Sequence, residues 1–269
     1  MHQRQMLQQT LSGLEAGLHV RHIATFELKC WPHRNVEAAL GCDGLSDFDQ
    51  IPVQEEGRVV GVIERLPSNA RTKEVPGHFR ALDDSILVAA EAPMIQFLRL
   101  VDESPYRLVV SRDGIEGIVT RSDILKLPVR IFLFTLITHL ETVAAHLIEC
   151  QNLADDEWLG YLSSDRQKHV RTRHREAALQ RLNPSMLEFT TFCDKRVVLK
   201  KHLDLGERFK KDLERIEALR NTVVHVRNYV ETSDRLKEFV ETISLTEDWI
   251  GQLTDMALPA DNRGPEETL

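Results

Sequence analysis

The sequence has few cysteines, and their spacing suits neither disulfides nor metal binding. Cys30, Cys42, Cys150 and Cys193 are widely scattered, with no CxxC pair and no histidine at zinc-ligand spacing. A disulfide framework needs paired cysteines, and a structural zinc site needs clustered Cys or His ligands. The pattern therefore predicts reduced thiols and no bound metal.

Segments for export or membrane insertion are also lacking. Residues 1–10 do not contain the apolar core of a signal peptide. No segment approaches the roughly 20 apolar residues that a membrane-spanning helix needs. These absences predict a cytoplasmic protein with no membrane partner.

What the chain does contain is a balance typical of soluble globular proteins. Its 269 residues are 42% hydrophobic and 28% charged, and the length suffices for about two domains. The net charge of −8 is unevenly spread, because Trp158 to Val230 contains 16 Lys plus Arg against 9 Asp plus Glu. That segment has a charge of +7 and the rest of the chain −15. The asymmetry favours a polyanion partner for the C-terminal half.

The N-terminal half contains a weak internal repeat, which follows a polar arm at residues 1–18. In both copies a β-branched run enters a Gly-containing turn and another leaves it, which predicts a hairpin. Gly57 corresponds to Gly114 and Gly61 to Gly117. The stretch 67–84 is predicted to connect the copies. The predicted elements are strand 24–28, helix 36–40 and hairpin 51–63 in the first copy, then strand 86–88, helix 93–100 and hairpin 108–119 in the second.

This double strand-helix-strand-strand pattern resembles the tandem CBS-domain family, often called a Bateman module. The resemblance covers residues 19–128, with repeats over about 19–66 and 85–128. Its most specific segment, Gly117-Ile-Val-Thr120-Arg-Ser-Asp123, matches the family's adenosine-nucleotide signature. The resemblance implies a regulatory adenine nucleotide (AMP, ADP or ATP), with Thr120 near the ribose or phosphate and Asp123 on the ribose hydroxyls. Thr120 and Asp123 also suit a helix capping box, which needs no ligand.

The first copy departs from this signature. Glu64 stands where the family has a hydroxyl, and Pro67 stands where it has the ribose-binding acid. A carboxylate at this position would repel phosphate. We therefore expect at most one nucleotide per pair.

A helical pattern begins after Pro128. The sequence as a whole predicts an α+β chain, in which the tandem α/β pair is followed by a separate all-α helical-bundle domain over residues 129–256 and a disordered tail over 257–269. Glu141 interrupts the apolar pattern of the first helix, either at the edge of its buried face or as a group that orients an active site. The predicted helices cover 130–151, a short segment from Asp155, a segment capped at 163–165, 184–202, a segment from about 205 through 220–225, and 234–256.

One of these helices is strongly basic. Its cations are suited to a row of contacts with an RNA backbone, although a charge run on a helix is also typical of a solvated face. No aromatic residues interleave with them, which argues against base stacking. The five candidate RNA-binding residues are Arg166, Lys168, Arg171, Arg173 and Arg175.

The segment Arg220-Asn-Thr-Val-Val-His225 combines a cation, an amide and an imidazole. At ~100° per residue, Asn221 and His225 lie opposite the apolar stripe of their helix, whereas Arg220 borders that stripe. An ordinary helix would not point Arg220 and His225 at one phosphate. A site here needs a distorted helix or a second copy of the chain. The stripe comprises Phe209, Leu213, Ile216, Leu219, Val223, Val226 and Val230.

This motif and its helical surroundings resemble the HEPN family, whose ribonuclease members join two protomers to cut RNA without a metal or other cofactor. The resemblance implies that His225 handles the proton of the ribose 2′-hydroxyl or of the leaving oxygen. It also implies that Arg220 stabilises phosphate charge and that Asn221 orients the phosphate. The alternative is a helix with an exposed histidine and a salt-bridging arginine.

Two functional hypotheses follow from the sequence. The first is a homodimeric, metal-independent endoribonuclease regulated by an adenine nucleotide bound to the CBS pair. The second is a nucleotide-sensing regulatory protein whose helical half provides dimerisation without catalysis.

Overall fold

A computed structural model describes residue 13 and residues 16–66, 77–180, 184–224 and 232–257 of the chain. The chain forms two compact units, one over Glu15–Val129 and the other from Arg130 onward. The N-terminal half contains β-sheets and the C-terminal region is helical. The α+β fold class is therefore confirmed at this coarse level.

The N-terminal unit contains two sheets. Strands β2, β3 and β4 form one sheet in that order, and β1, β7, β6 and β5 form the other. Short 3-10 helices occupy Val20–His22, Asp43–Leu45, Asp84–Ile86 and Arg121–Leu125. The remaining elements are β1 (Thr25–Phe26), α1 (Val36–Leu40), β2 (Gln50–Glu55), β3 (Arg58–Arg65), β4 (Gly77–Ala81), β5 (Leu87–Ala89), α2 (Met94–Arg99), β6 (Tyr106–Ser111) and β7 (Gly114–Thr120).

The two predicted hairpins have equivalent strand registers. In the first hairpin Val53 pairs with Gly61, and the register shifts immediately after Val53. In the second, Val109 pairs with Gly117, and the register shifts immediately after Val109. Both irregularities therefore occupy the same position in the repeat. A shared β-bulge at one position is a specific feature of a fold, since bulges redirect a strand locally.

Each hairpin is extended by a third strand. Phe26 of β1 pairs antiparallel with Gly117 of β7, and Ala81 of β4 pairs antiparallel with Gly61 of β3, the glycine equivalent to Gly117. The glycines allow this close approach: a Cβ at Gly61 would lie 2.4 Å from the Arg80 carbonyl oxygen, and one at Gly117 would lie 3.0 Å from that of Thr25. Strand β4 therefore occupies the position equivalent to that of β1, and each hairpin is completed by a strand from outside its own copy.

One strand was missed in this region. The strand predicted over 24–28 is present as β1 but pairs with β7, and the parallel partner of the first hairpin is a single bridge between Trp31 and Val53. Stretch 67–84 was expected to be a connection, yet its described part includes β4. Strand β4 is only half-buried and has little apolar alternation, so the sequence signal for it is weak.

The core of the N-terminal unit is built from both copies. Val62 of β3 packs with Ile86, Tyr106 and Leu108 of the second copy, and all four side chains are inaccessible to solvent. Burying a large apolar side chain stabilises a fold by roughly 1.5–3 kcal/mol. This shared cluster therefore joins the two copies into one folding unit.

The C-terminal unit is helical across its described residues. One of its two 24-residue helices begins at Leu127 and has an extensive buried apolar face that includes Leu133, Leu136 and Leu140. The elements are α3 (Leu127–Cys150), α4 (Asp155–Leu159), α5 (Ser164–Leu179), a 3-10 helix (Met186–Phe189), α6 (Phe192–His202), α7 (Gly206–Val224) and α8 (Ser233–Met256).

The single helix predicted over 184–202 is interrupted. The 3-10 helix ends at Phe189, and Thr191 then caps a new helix, α6. The Thr191 side chain accepts a hydrogen bond from the Asp194 amide, while the Asp194 carboxylate accepts one from the Thr191 amide. This capping box explains why the chain starts a new helix at that point.

Helix α3 also corrects an expectation about apolar segments. It is the one helix in the described parts of the chain that is long and apolar enough to cross a membrane, with a mean hydropathy of 1.7. However, 56% of its most apolar window is buried within the protein. Such burial is typical of a core helix in a soluble protein. The predicted arm at 1–18 and tail at 257–269 lie mostly outside the described residues.

Candidate functional site

Thr120 and Asp123 lie where β7 leads into the following 3-10 helix. The Thr120 amide and hydroxyl both donate to Asp123 Oδ2, at 2.5 and 2.9 Å. Lys126 Nζ lies 2.7 Å from Asp123 Oδ1. Asp123 is 6% exposed. The pair thus forms the capping box that the sequence allowed, with a lysine added.

The surroundings of this pair are polar and include a cation. The Thr120 hydroxyl is 2.7 Å from that of Ser122. Arg121 donates to the carbonyl oxygens of Val101 and Asp102, which anchors the 3-10 helix. The Lys126 side chain is 40% exposed, so its ammonium remains within reach of solvent.

The corresponding position in the first copy carries Glu64. Glu64 pairs with Gln50 across its hairpin, as Thr120 pairs with Tyr106. Its carboxylate accepts a hydrogen bond from the Tyr106 hydroxyl at 2.7 Å. His78 Nε2 lies 3.3 Å and Arg80 Nη1 3.5 Å from the same carboxylate. The first copy therefore holds its own anion where the second copy holds a hydroxyl.

Tyr106 connects the two copies at this point. Burial, together with the hydrogen bond to Glu64, raises the pKa of the Tyr106 hydroxyl well above its ordinary value. The tyrosine therefore remains a proton donor to Glu64 at any physiological pH. Pro67, predicted to disable the first site, lies outside the described residues.

The predicted catalytic residues are only partly described. Arg220 and Asn221 lie near the end of α7, whereas His225 lies outside the described residues. The buried residues of this helix, Phe209, Leu213, Ile216 and Val223, belong to the predicted apolar stripe. Asn221 is exposed and the Arg220 side chain is 31% exposed, consistent with a position at the border of the stripe.

Arg220 faces a carboxylate that the sequence had already singled out. Its Nη2 lies 4.0 Å from Glu141 Oε2. Its Nε is shielded from solvent and has no hydrogen-bond partner within the described ranges. Glu141, on α3, thus contacts the predicted catalytic arginine.

Lys195, which sequence reasoning missed, binds the other oxygen of Glu141. Its Nζ donates to Glu141 Oε1 at 2.9 Å and to the Thr190 carbonyl oxygen at 3.1 Å. Lys195 is 6% exposed. The available signal was its spacing, because it lies between Phe192 and Leu199 on the buried face of α6.

The neighbours of Lys195 are also buried charges, and each pairs with a different helix. Asp194 accepts two hydrogen bonds from Arg166 of α5, at 3.1 and 2.5 Å. Arg196 Nη1 donates to Glu217 of α7 at 2.9 Å. Three consecutive residues of α6 therefore bind α5, α3 and α7. Burial raises the pKa of Asp194, but Arg166 and the Thr191 hydrogen bonds outweigh it and hold the pKa below its ordinary value.

Some basic residues of α5 lie close to carboxylates within the protein, and others are exposed to solvent. Arg166 binds Asp194. Arg171 lies 2.7 Å from Asp156, and Arg173 lies 4.0 Å from Glu176. Lys168 and Arg175 are exposed. Of the five predicted RNA-binding residues, three therefore have a carboxylate close by within the protein.

The histidines and cysteines that the structure describes include one buried histidine and form no metal site. Burial lowers the pKa of His139, which is 7% exposed on α3. Cys30, Cys42, Cys150 and Cys193 are free thiols. Across residues 16–66, 77–180, 184–224 and 232–257, no group of three His, Cys, Asp or Glu side chains is placed to hold a metal ion.

Comparison with known proteins identifies one part of the chain. No curated protein and no solved structure matches the chain. Residues 80–130 match the family model of the CBS domain. This segment contains β5, α2, β6 and β7 and the Thr120–Asp123 pair. The second copy of the repeat is thus a CBS domain.

Proposed function

We propose that the protein is a nucleotide-sensing regulatory protein in which an adenine nucleotide binds to the second CBS copy. The observation that carries this proposal is the Asp123 carboxylate, held at the end of β7 between Thr120 and Lys126. Asp123 would accept hydrogen bonds from the ribose hydroxyls, and Thr120 would lie near the ribose or phosphate. Lys126 would move from Asp123 toward the phosphate.

The first copy is proposed to bind no nucleotide. Glu64 places a carboxylate at the position of Thr120, and Tyr106, Arg80 and His78 already surround it. A phosphate bound there would be repelled by the Glu64 carboxylate, because the side chains that could offset the repulsion already contact Glu64. The expected stoichiometry is therefore one nucleotide per chain.

Calorimetric titration with AMP, ADP and ATP tests this function. Asp123→Ala should abolish binding, because the ribose loses its acceptor. Asp113→Ala is a matched control, since Asp113 is an exposed aspartate in the turn before β7. Equal binding by wild type and Asp123→Ala would refute the proposed site. Two nucleotides per wild-type chain would refute the role of Glu64.

A second candidate function is a metal-independent endoribonuclease, favoured by the environment of Arg220. The guanidinium borders Glu141 and retains a donor without a partner in the described residues. In the HEPN-like arrangement, two protomers would bring their motifs together. Arg220 would stabilise phosphate charge, Asn221 would orient the phosphate, and His225 would transfer the proton of the 2′-hydroxyl or leaving oxygen.

Digestion of single-stranded RNA in EDTA distinguishes the two candidates. Wild type should cleave and His225→Ala should not, while His202→Ala, a histidine on α6, should cleave like wild type. Equal cleavage by wild type and His225→Ala would identify a contaminating nuclease. Nucleotide binding without RNA cleavage, with or without AMP or ATP, would leave the non-catalytic regulatory protein as the function.

A further inference from the structure

The helical unit contains a buried cation whose pairing reaches the predicted catalytic arginine. Lys195 is 6% exposed and donates to Glu141 Oε1 and the Thr190 carbonyl oxygen. Removing a charge from water is costly unless the charge is paired and hydrogen-bonded. Both conditions hold for Lys195, so its ammonium is fixed between α6 and α3.

Glu141 joins this cation to Arg220. One carboxylate oxygen lies 2.9 Å from Lys195 Nζ, and the other lies 4.0 Å from Arg220 Nη2. The Glu141 carboxylate thus contacts two cations, and its contact with Lys195 is the shorter one. The charges of the three side chains add to +1. Because Lys195 makes the shorter contact with Glu141, the Arg220 guanidinium has only a 4.0 Å contact with this carboxylate within the described residues.

We propose that Lys195 is a positioning residue for Arg220. Acting through Glu141, it holds the guanidinium at the end of α7 and keeps its charge available to an anionic phosphate group. This inference rests on the endoribonuclease candidate, in which Arg220 is the phosphate-binding residue. Without Lys195, Glu141 has only Arg220 as a partner and draws the guanidinium into a closed ion pair.

Arg196 provides a matched comparison on the same helix. It is buried to 8% exposure, close to the 6% of Lys195. Its partners, however, are Glu217 and Glu214 of α7. Lys195→Met and Arg196→Met each remove one buried cation from α6, but only Lys195→Met deprives Glu141 of its partner.

Two readouts test the proposal. The first is RNA cleavage in EDTA, with kcat and KM determined separately. The second is the increase in melting temperature caused by inorganic phosphate at constant ionic strength, compared with that of Arg220→Gln so that phosphate bound elsewhere cancels. The variants are Lys195→Met, Lys195→Arg, Arg196→Met and Lys195→Met/Glu141→Gln.

The expected pattern differs from that of a simple loss of stability. Lys195→Met should lower kcat/KM about tenfold, less than the 10²–10³-fold cost of losing a direct donor, and should reduce the phosphate effect toward that of Arg220→Gln. The double variant should recover much of both, because the competing carboxylate is gone. Lys195→Arg should retain most activity. Arg196→Met should lower the melting temperature but leave both readouts near wild type.

Three results would overturn the proposal. One is a double variant no better than Lys195→Met, another is an Arg196→Met variant with the same functional loss, and the third is an undiminished phosphate effect in Arg220→Gln. If wild type cleaves no RNA, the endoribonuclease candidate fails, while the phosphate series still decides whether Lys195 controls the charge of Arg220.

Discussion

The two units of the protein bury their charged side chains in different places. In the N-terminal unit, Glu64 and Asp123 lie at or just beyond the ends of strands, and the side chains of their cationic partners Arg80 and Lys126 are 31% and 40% exposed. In the helical unit, residues 194–196 lie within α6 and bind three other helices. A carboxylate with a solvent-accessible partner is able to exchange that partner for a ligand. A charge buried between helices cannot do so without weakening the packing.

The largest expected effect tests the helical side of this comparison. Arg166→Met leaves Asp194, whose side chain is 6% exposed, without its cation. Loss of one partner of a buried pair costs about 3–5 kcal/mol, so the free energy of unfolding in urea should fall by about 3 kcal/mol. Arg173→Met, which breaks an ion pair with both side chains more than half exposed, should change it by less than about 1 kcal/mol. Equal losses in the two variants would contradict the assigned difference.

The same pair predicts a dependence on pH. The folded protein holds the pKa of Asp194 below its ordinary value. The stability from this group is therefore fully present above the ordinary aspartate pKa of about 4 and is lost as the pH falls through the depressed value. Between about pH 5 and pH 2, Arg166→Met should lose less stability than wild type. If the stabilities of Arg166→Met and wild type fell in parallel over this pH range, this assignment would be contradicted.

A smaller effect is expected in the N-terminal unit. Tyr106→Phe removes the hydrogen bond to Glu64 but leaves Arg80 and His78 beside the carboxylate. A hydrogen bond to a charged group contributes about 1.5–3 kcal/mol, and the remaining contact with Arg80 should keep the loss at about 1.5 kcal/mol. Glu64→Gln/Tyr106→Phe should lose little more than Tyr106→Phe in urea unfolding. A loss as large as that of Arg166→Met would remove the contrast between the units.

The smallest effect is expected at the surface of α5. Arg171 and Asp156 lie 2.7 Å apart, but their side chains are 40% and 86% exposed. Exposed ion pairs contribute about 0–1 kcal/mol. Arg171→Ala should therefore shift the urea midpoint only slightly, with the remaining shift reduced in high salt. A salt-independent loss above about 2 kcal/mol would mean that Arg171 has a structural role like that of Arg166.

The hairpins of the repeat were predictable because their signals are local. A Gly-containing turn flanked by β-branched runs specifies two paired strands, and the structure has both hairpins. The Thr120–Asp123 capping box was equally local. The exchange of β1 and β4 was not predictable, since short, half-buried strands obtain their pairing from distant parts of the chain.

The charges of α6 show a second limit of sequence reasoning. From residue type alone, Lys195 and Arg196 would be expected to face solvent. Both are instead buried, and their partners, Glu141 and Glu217, come from other helices. Pairings at such separations follow from tertiary packing, not from helical periodicity. The different exposure of Arg220 and Asn221 followed from the periodicity of one helix. His225 lies outside the described residues.

The exchanged strands of the N-terminal unit have a consequence for how this part of the chain folds. Pairing Thr25 with Ile118 closes a long loop, and contacts between residues so far apart in sequence slow folding. The CBS domain at residues 80–130, made alone, lacks β1 and would expose the edge of β7. An unprotected edge is a template for pairing with other chains. During synthesis, the first hairpin gains β4 soon after it emerges, whereas β1 stays unpaired until β7 of the second copy has emerged.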